Sequence, residues 1–329
     1  MPTQDARPVH ALMSGLIDYA GLFPPARWPM DRAVRAYGEY LAGPDSWMLG
    51  RFIVPVSRLE DFRKAAADVL PTGDDAGEPW PMSALIDGDL DENLDAVFAF
   101  NHEHQQPERG LAVIDAIEVR VPMEPAPTGS ESGDGLHGAA FIDDAIERIP
   151  PELFPFFEIA AMPSGPGLTP PDFRGCIAAL AGADAGAKLR TGGVTPDAFP
   201  STRTVAEFLI ACRAADVPFK ATAGLHHAVR GEHPLTYEPG CPRSVMHGFL
   251  NLFVAAVMID AHRLSVDDAA AVLERSGQDA FRFDERTLRA GDLSVGVDQI
   301  DRARDMFALS YGSCSFVEPV AELRAMGAL

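Results

Sequence analysis

Lys188 and Lys220 are two of only three lysines in a chain that carries 27 Lys plus Arg. Each ends a short apolar run and is followed by small residues and glycine, in GAKLRTGG and PFKATAGLHH. A lysine desolvated beside other cations loses affinity for its proton, and its free amine can attack a carbonyl carbon. Other reactive side chains recur at comparable points. Read with the two-residue period of a strand, successive apolar runs bring Asp87, then Glu118 and Arg120, then Glu158, then Lys188 and Arg190, then Lys220 and Thr222 to one face near their ends. Charges inside such runs are costly unless they are paired or face a wet cavity. The belt is therefore either a set of salt bridges or a reactive site. After Lys220 comes AGLHHAVRGEHP, which holds three of the nine histidines, His226, His227 and His233, together with Arg230. Imidazoles titrate near neutrality and move protons, and His226 is nearest the end of the run.

These spacings give two groups of candidates. Lys220, Lys188, Glu158, Glu118 and His226 are the catalytic candidates. Asp87, Arg120, Arg190, Thr222, His227 and Arg230 are candidates for holding substrate, joined by Ser313 and Ser315 of the small-residue loop SYGSCSF. The backbone N–H groups of Thr191, Gly192 and Gly193 are a candidate anion nest. His247 and Asn251 share a helix face that either looks into the pocket or packs conventionally. In DYAGLFPPA, Asp18 and Tyr19 precede Gly21 and a Pro-Pro pair, as either a pocket wall or a turn between helices. Three carboxylates and four cations in the inward set imply a small anionic substrate, such as a carboxylate or phosphate ester.

Composition narrows the partners. A net charge of −21 opposes binding to nucleic acid or to an anionic membrane. The four cysteines show no close pairing and no CxxC, as expected of reduced cytoplasmic chemistry without a structural metal. The N-terminus lacks a signal-peptide pattern. The most apolar stretch, FLNLFVAAVMIDAH at 249–262, reads as a buried helix too short to span a bilayer.

The elements that must position these groups alternate along the chain. Apolar strand patterns fall at 48–56, 81–88, 111–121, 153–160, 186–193, 218–224, 280–285 and 313–320, with helical patterns between them. PAPTGSESGDG at 125–135 reads as a surface loop. Eight strand–helix units predict a closed (β/α)8 TIM barrel over residues 46–329, behind an N-terminal helical cap at 1–45. An open doubly wound sheet is the competing architecture, and no GxGxxG follows an early strand to support it. Barrels often pair, so a homo-oligomer is compatible with this fold.

KLRTGG and FKATAGLHH resemble the lysine-bearing strands of class I aldolases of the deoxyribose-phosphate aldolase kind. The resemblance implies a Schiff base on Lys220 with Lys188 as the neighbour that lowers its pKa, or the reverse. No cofactor is expected, with a divalent metal ion as the alternative. The expected function is a lyase (aldolase) or isomerase acting on a small anionic carbonyl compound. Two alternatives stand beside it. One is a divalent-metal lyase or hydrolase ligated by Asp87, Glu118, Glu158 and His226 or His227. The other is a non-catalytic anion-binding barrel.

Overall fold

The computed structural model describes residues 8–73, 77–122, 135–162 and 173–329. Eight parallel strands close into a barrel: β1 (Ile17–Tyr19), β2 (Leu49–Pro55), β3 (Trp80–Leu85), β4 (Ala112–Arg120), β5 (Phe154–Ile159), β6 (Gly186–Arg190), β7 (Phe219–Thr222) and, closing it, β13 (Ala308–Ser313). The helices are α1 (Pro8–Met13), α2 (Met30–Leu41), α3 (Leu59–Ala66), α4 (Leu90–His104), α5 (Gly135–Arg148), α6 (Phe173–Leu180), α7 (Thr202–Ala214), α8 (Phe249–His262), α9 (Val266–Leu273), α10 (Val297–Met306) and α11 (Val317–Ala325). Their apolar stripes cover the outer face of the sheet, so most barrel strands are buried on both sides. The fold is a (β/α)8 TIM barrel. No helix among the described residues is long and apolar enough to cross a membrane.

Two insertions separate β7 from β13. A hairpin of β8 (Gly231–Pro234) and β9 (Arg243–Met246) follows the histidine loop. An antiparallel sheet of β10 (Arg282–Phe283), β11 (Thr287–Ala290) and β12 (Leu293–Gly296) precedes α10. The apolar stretch at 249–262 is α8, buried along nearly its whole length, as expected.

Three strand assignments change. The first barrel strand is β1, inside the 1–45 stretch set apart from sequence as a helical cap. Its three residues are all buried and pair with both β2 and β13, so this stretch supplies barrel wall as well as helices. Residues 280–285 contribute only the two-residue β10, outside the barrel. The closing strand lies at 308–313, earlier than the expected 313–320, because Ser315 caps a helix there: its Oγ accepts from Glu318 N at 3.2 Å. Most of the predicted loop at 125–135 lies outside the described residues.

Candidate functional site

Strand register brings the belt together. Arg120 on β4 is level with Glu158 on β5, Glu158 with Lys188 on β6, and Lys188 with Lys220 on β7. Register partners in a barrel share an inward or outward sense, so these four side chains point into one space. Glu118 lies one inward position deeper, level with Phe156. Phe156 closes the interior beneath the lysines, its ring 5.4 Å from Lys220 Nζ. Gly186 leaves room for that ring, since a Cβ there would come within 2.9 Å of it.

The charges form one alternating chain. Lys220 Nζ lies 2.6 Å from Asp18 Oδ2 and 2.6 Å from Glu118 Oε1. Lys188 Nζ lies 2.6 Å from Glu118 Oε2 and 2.6 Å from Glu158 Oε2. Arg190 Nε ends the chain 3.4 Å from Glu158 Oε1. Neutral donors complete the set. Ser83 Oγ donates to Glu118 Oε1 at 3.0 Å, Ser310 Oγ to Asp18 Oδ2 at 2.7 Å, and Arg51 N to Asp18 Oδ1 at 2.7 Å. Asp18, Lys220, Glu118 and Lys188 are each no more than 3% exposed. Ionic groups buried this deeply persist because every one of them is paired and hydrogen-bonded.

A cavity of about 450 Å³ opens above this chain at the C-terminal ends of the strands, where active sites of this fold form. Lys188, Glu118, Glu158, Arg120, Arg190, Asp87, Thr222 and His226 line it. Lys220 does not, being sealed behind Glu118. The lysine expected to lead therefore sits behind the site, and Lys188 is the one a ligand can touch. Asp18 is the residue missed as a member of the charged set. It balances the cations, so the belt carries no net positive charge. Any preference for anions rests on position instead: Arg190 is half-exposed at the rim, and Arg120 has no ion-pair partner among the described residues.

Other candidates have structural partners. His227 Nδ1 meets Glu322 Oε1 at 2.6 Å and its ring stacks on His233 at 3.4 Å, fixing the histidine loop to α11. Arg230 donates its backbone N–H to Asn251 Oδ1 at 2.8 Å, and Asn251 also donates to Leu273 O and Arg275 O. His247 bonds Pro200 O at 2.8 Å. None of these residues lines the cavity. Ser313 donates to Ser315 O at 2.6 Å within the turn that caps α11, and neither serine reaches the cavity. The nest at 191–193 has lost a donor, because Thr191 N donates to Thr222 O at 2.9 Å. Gly192 and Gly224 are glycines of close approach: a Cβ on Gly192 would come within 3.0 Å of Gly224 Cα. DYAGLFPPA serves as wall, with Ala20, Phe23, Pro24 and Pro25 facing the cavity.

Protonation follows from these contacts. Burial pushes the Lys188 amine toward the neutral form, but Glu118 and Glu158 outweigh it and raise its pKa. Burial likewise pushes Glu118 up, yet Lys188 and Lys220 hold it well below the usual carboxylate range. Glu158 is lowered in the same way, Lys188 and Arg190 outweighing its burial. The resting site thus holds an ammonium between two carboxylates, not a free amine. Beyond the ends of β7 and β13, burial lowers His226 to about 4 and pushes the Cys314 thiol up to about 11. The two form a neutral pair, Cys314 Sγ 3.5 Å from His226 Nδ1. A divalent metal does not fit this donor set. Glu118 is bracketed by two ammonium groups, Asp87 accepts from Ser57 N and Oγ, and no three His, Cys, Asp or Glu side chains converge among the described residues.

The same shifts set a stability profile. The depressed carboxylates contribute stability above their unfolded value of 4.5, and lose it as pH falls through their folded values. The raised Lys188 contributes fully below 10.5 and loses its contribution as pH rises through its folded value. Urea midpoints are expected to hold level between these limits and fall on both sides. Glu158→Gln should flatten the acid limb. Superimposable profiles for the two proteins would show that the network contributes nothing.

No protein-family model matches the chain, and no curated protein matches it. Among solved structures it is similar to UMP synthase of Leishmania donovani, at 14% identity over 65% of this chain and 43% of that one, with a TM-score of 0.34. It is similar to OMP decarboxylase of Leishmania donovani at 16% identity over 65% of this chain and 76% of that one, TM-score 0.37. It is also similar to the spore cortex-lytic enzyme SleL of Bacillus megaterium QM B1551, at 11% identity over 99% of this chain and 75% of that one, TM-score 0.43. The chain spans less than half the length of that UMP synthase. The barrel assignment stands on the closed ring of eight strands.

Proposed function

We propose that the chain is a carbon–carbon lyase or an isomerase acting on a small anionic carbonyl compound, with the ammonium of Lys188 as its acid. The observation that carries this reading is the position of Lys188 on the cavity floor, held between Glu118 and Glu158 at 2.6 Å from each. Arg120 and Arg190 bind the substrate carboxylate near the rim. In the lyase direction Glu158 takes the proton of a hydroxyl on the β-carbon, that carbon leaves as a carbonyl, and the electron pair of the broken Cα–Cβ bond stays behind as an enolate. Lys188 stabilises that charge and delivers a proton to the α-carbon, then regains one from solvent after release. In an isomerase, Glu158, the more accessible of the two carboxylates that bracket Lys188, takes the α-proton and Lys188 returns one to the neighbouring atom. A simple anion-binding barrel needs the arginines but has no use for a lysine paired twice over on the floor.

The test is a panel of 2-keto acids with and without a 4-hydroxyl group, together with 3-keto acids, followed by proton NMR and run in parallel with borohydride and intact mass. Turnover of at least one compound without a borohydride adduct is expected. A stable adduct mapped to Lys188 would restore the Schiff-base route that the aldolase resemblance implies. Binding of anions without turnover of any compound would leave the anion-binding barrel as the reading.

A further inference from the structure

The cavity wall has three sectors, of which the one at the ends of β7 and β13 carries Thr222, His226 and Cys314. On β4, β5 and β6 the wall presents Arg120, Glu158, Lys188 and Arg190. The opposite arc, made by β2, β3 and the segment after β1, presents Phe23, Pro24, Pro25, Ile53, Leu85 and Ile86. The carboxylate on that arc, Asp87, is already engaged by Ser57, and its backbone N–H donates to Asn93 Oδ1 at 3.1 Å. Each Asp87 oxygen already accepts one hydrogen bond, so the side chains of this arc offer a ligand only the remaining lone pairs of a single carboxylate. A polyhydroxylated ligand would leave most hydroxyl groups placed against Phe23, Ile53 and Leu85 without side-chain partners, each at the cost of its desolvation. An apolar group there gains about fourfold in affinity per methylene buried. The floor is open toward this arc because residue 312 is glycine: a Cβ there would stand 3.1 Å from Ile53 Cδ1 and 3.4 Å from Thr222 Oγ1.

From this division we infer that the ligand is a keto acid with an apolar tail, alkyl or aryl, its carboxylate and carbonyl on the β4–β6 side and its tail against Phe23, Ile53 and Leu85. The cavity of about 450 Å³ lies in the ordinary range for small-ligand sites, and a pyruvate-sized molecule would leave most of it to water. The carbonyl part of this assignment rests on the function proposed above. The tail rests on the apolar arc alone.

Calorimetric titration tests it without requiring turnover. The probes are straight-chain 2-keto acids from 2-oxobutanoate to 2-oxooctanoate, phenylpyruvate, and ribose 5-phosphate. Affinity is expected to climb about fourfold per methylene until the tail fills the arc. Phe23→Ala should weaken 2-oxooctanoate about tenfold and leave 2-oxobutanoate within about twofold. Leu85→Ala repeats the comparison should the first variant fold poorly. Flat affinity along the series, no binding by any keto acid, or ribose 5-phosphate binding more tightly than all of them would overturn the assignment. A tail gradient without turnover would leave the ligand class standing and remove the lyase or isomerase. Turnover with a flat series would do the reverse.

Discussion

Lys188→Met is expected to lower kcat/KM for the keto acid that the protein turns over by about a thousandfold or more. General-acid transfer is worth about 10²–10⁴ in rate, and electrostatic stabilisation of a developing oxyanion about 10²–10³. Lys188 is placed to supply both from one ammonium on the cavity floor. The same substitution removes the cation between Glu118 and Glu158, and breaking a buried pair costs about 3–5 kcal/mol. Stability and chemistry would then fall together, so the single variant cannot separate them. Lys188→Met/Glu158→Gln does. It removes the carboxylate left most exposed to the loss, while Glu118 keeps Lys220 at 2.6 Å. Urea midpoints of the double variant should return toward those of the parent, and turnover should stay at the level of Lys188→Met. A folded Lys188→Met protein within about tenfold of parental turnover would take Lys188 out of the chemistry.

Much of this site was legible because a strand obeys a two-residue period. Glu118 and Arg120, and Lys188 and Arg190, sit two apart in apolar runs, so the inward face of each strand follows from the sequence. Their convergence then follows from parallel register. Asp18 was not legible as a member of the set. Its strand has three residues, all buried, embedded in a longer apolar stretch where helix and strand give the same pattern. The rank order of the two lysines was equally hidden. Both end apolar runs, and only the third dimension puts Glu118 between Lys220 and the cavity. His227 and the serines at 313 and 315 illustrate a different limit. Residue type and loop position favoured a ligand role, whereas Glu322 and the cap of α11 had already claimed them. The segment at 280–285 misled because a short antiparallel strand and a barrel strand share the same local composition.

Lys220→Met is expected to have the second large effect, on stability first and on the pH profile of turnover second. Lys220 is 0% exposed and is the shared counter-ion of Asp18 and Glu118. Without it two buried carboxylates face each other, at a cost of about 3–5 kcal/mol. Lys220→Met/Asp18→Asn should recover a large part of that loss, a non-additivity expected for groups in one ionic chain. Additive losses would mean that the Asp18 contact is idle. The kinetic consequence has a definite sign. In the parent, the charge of Glu118 is divided between two ammonium groups. Removing Lys220 leaves Lys188 to feel that charge alone, which further favours its protonated form. The basic limb of kcat, set by loss of the Lys188 proton, should therefore move to higher pH in Lys220→Met. A structural role for Lys220 unconnected to Lys188 would lower stability and leave that limb where it is. A shift to lower pH would show that Glu118 had taken up a proton instead, and the ionic chain would no longer account for the charge on Lys188.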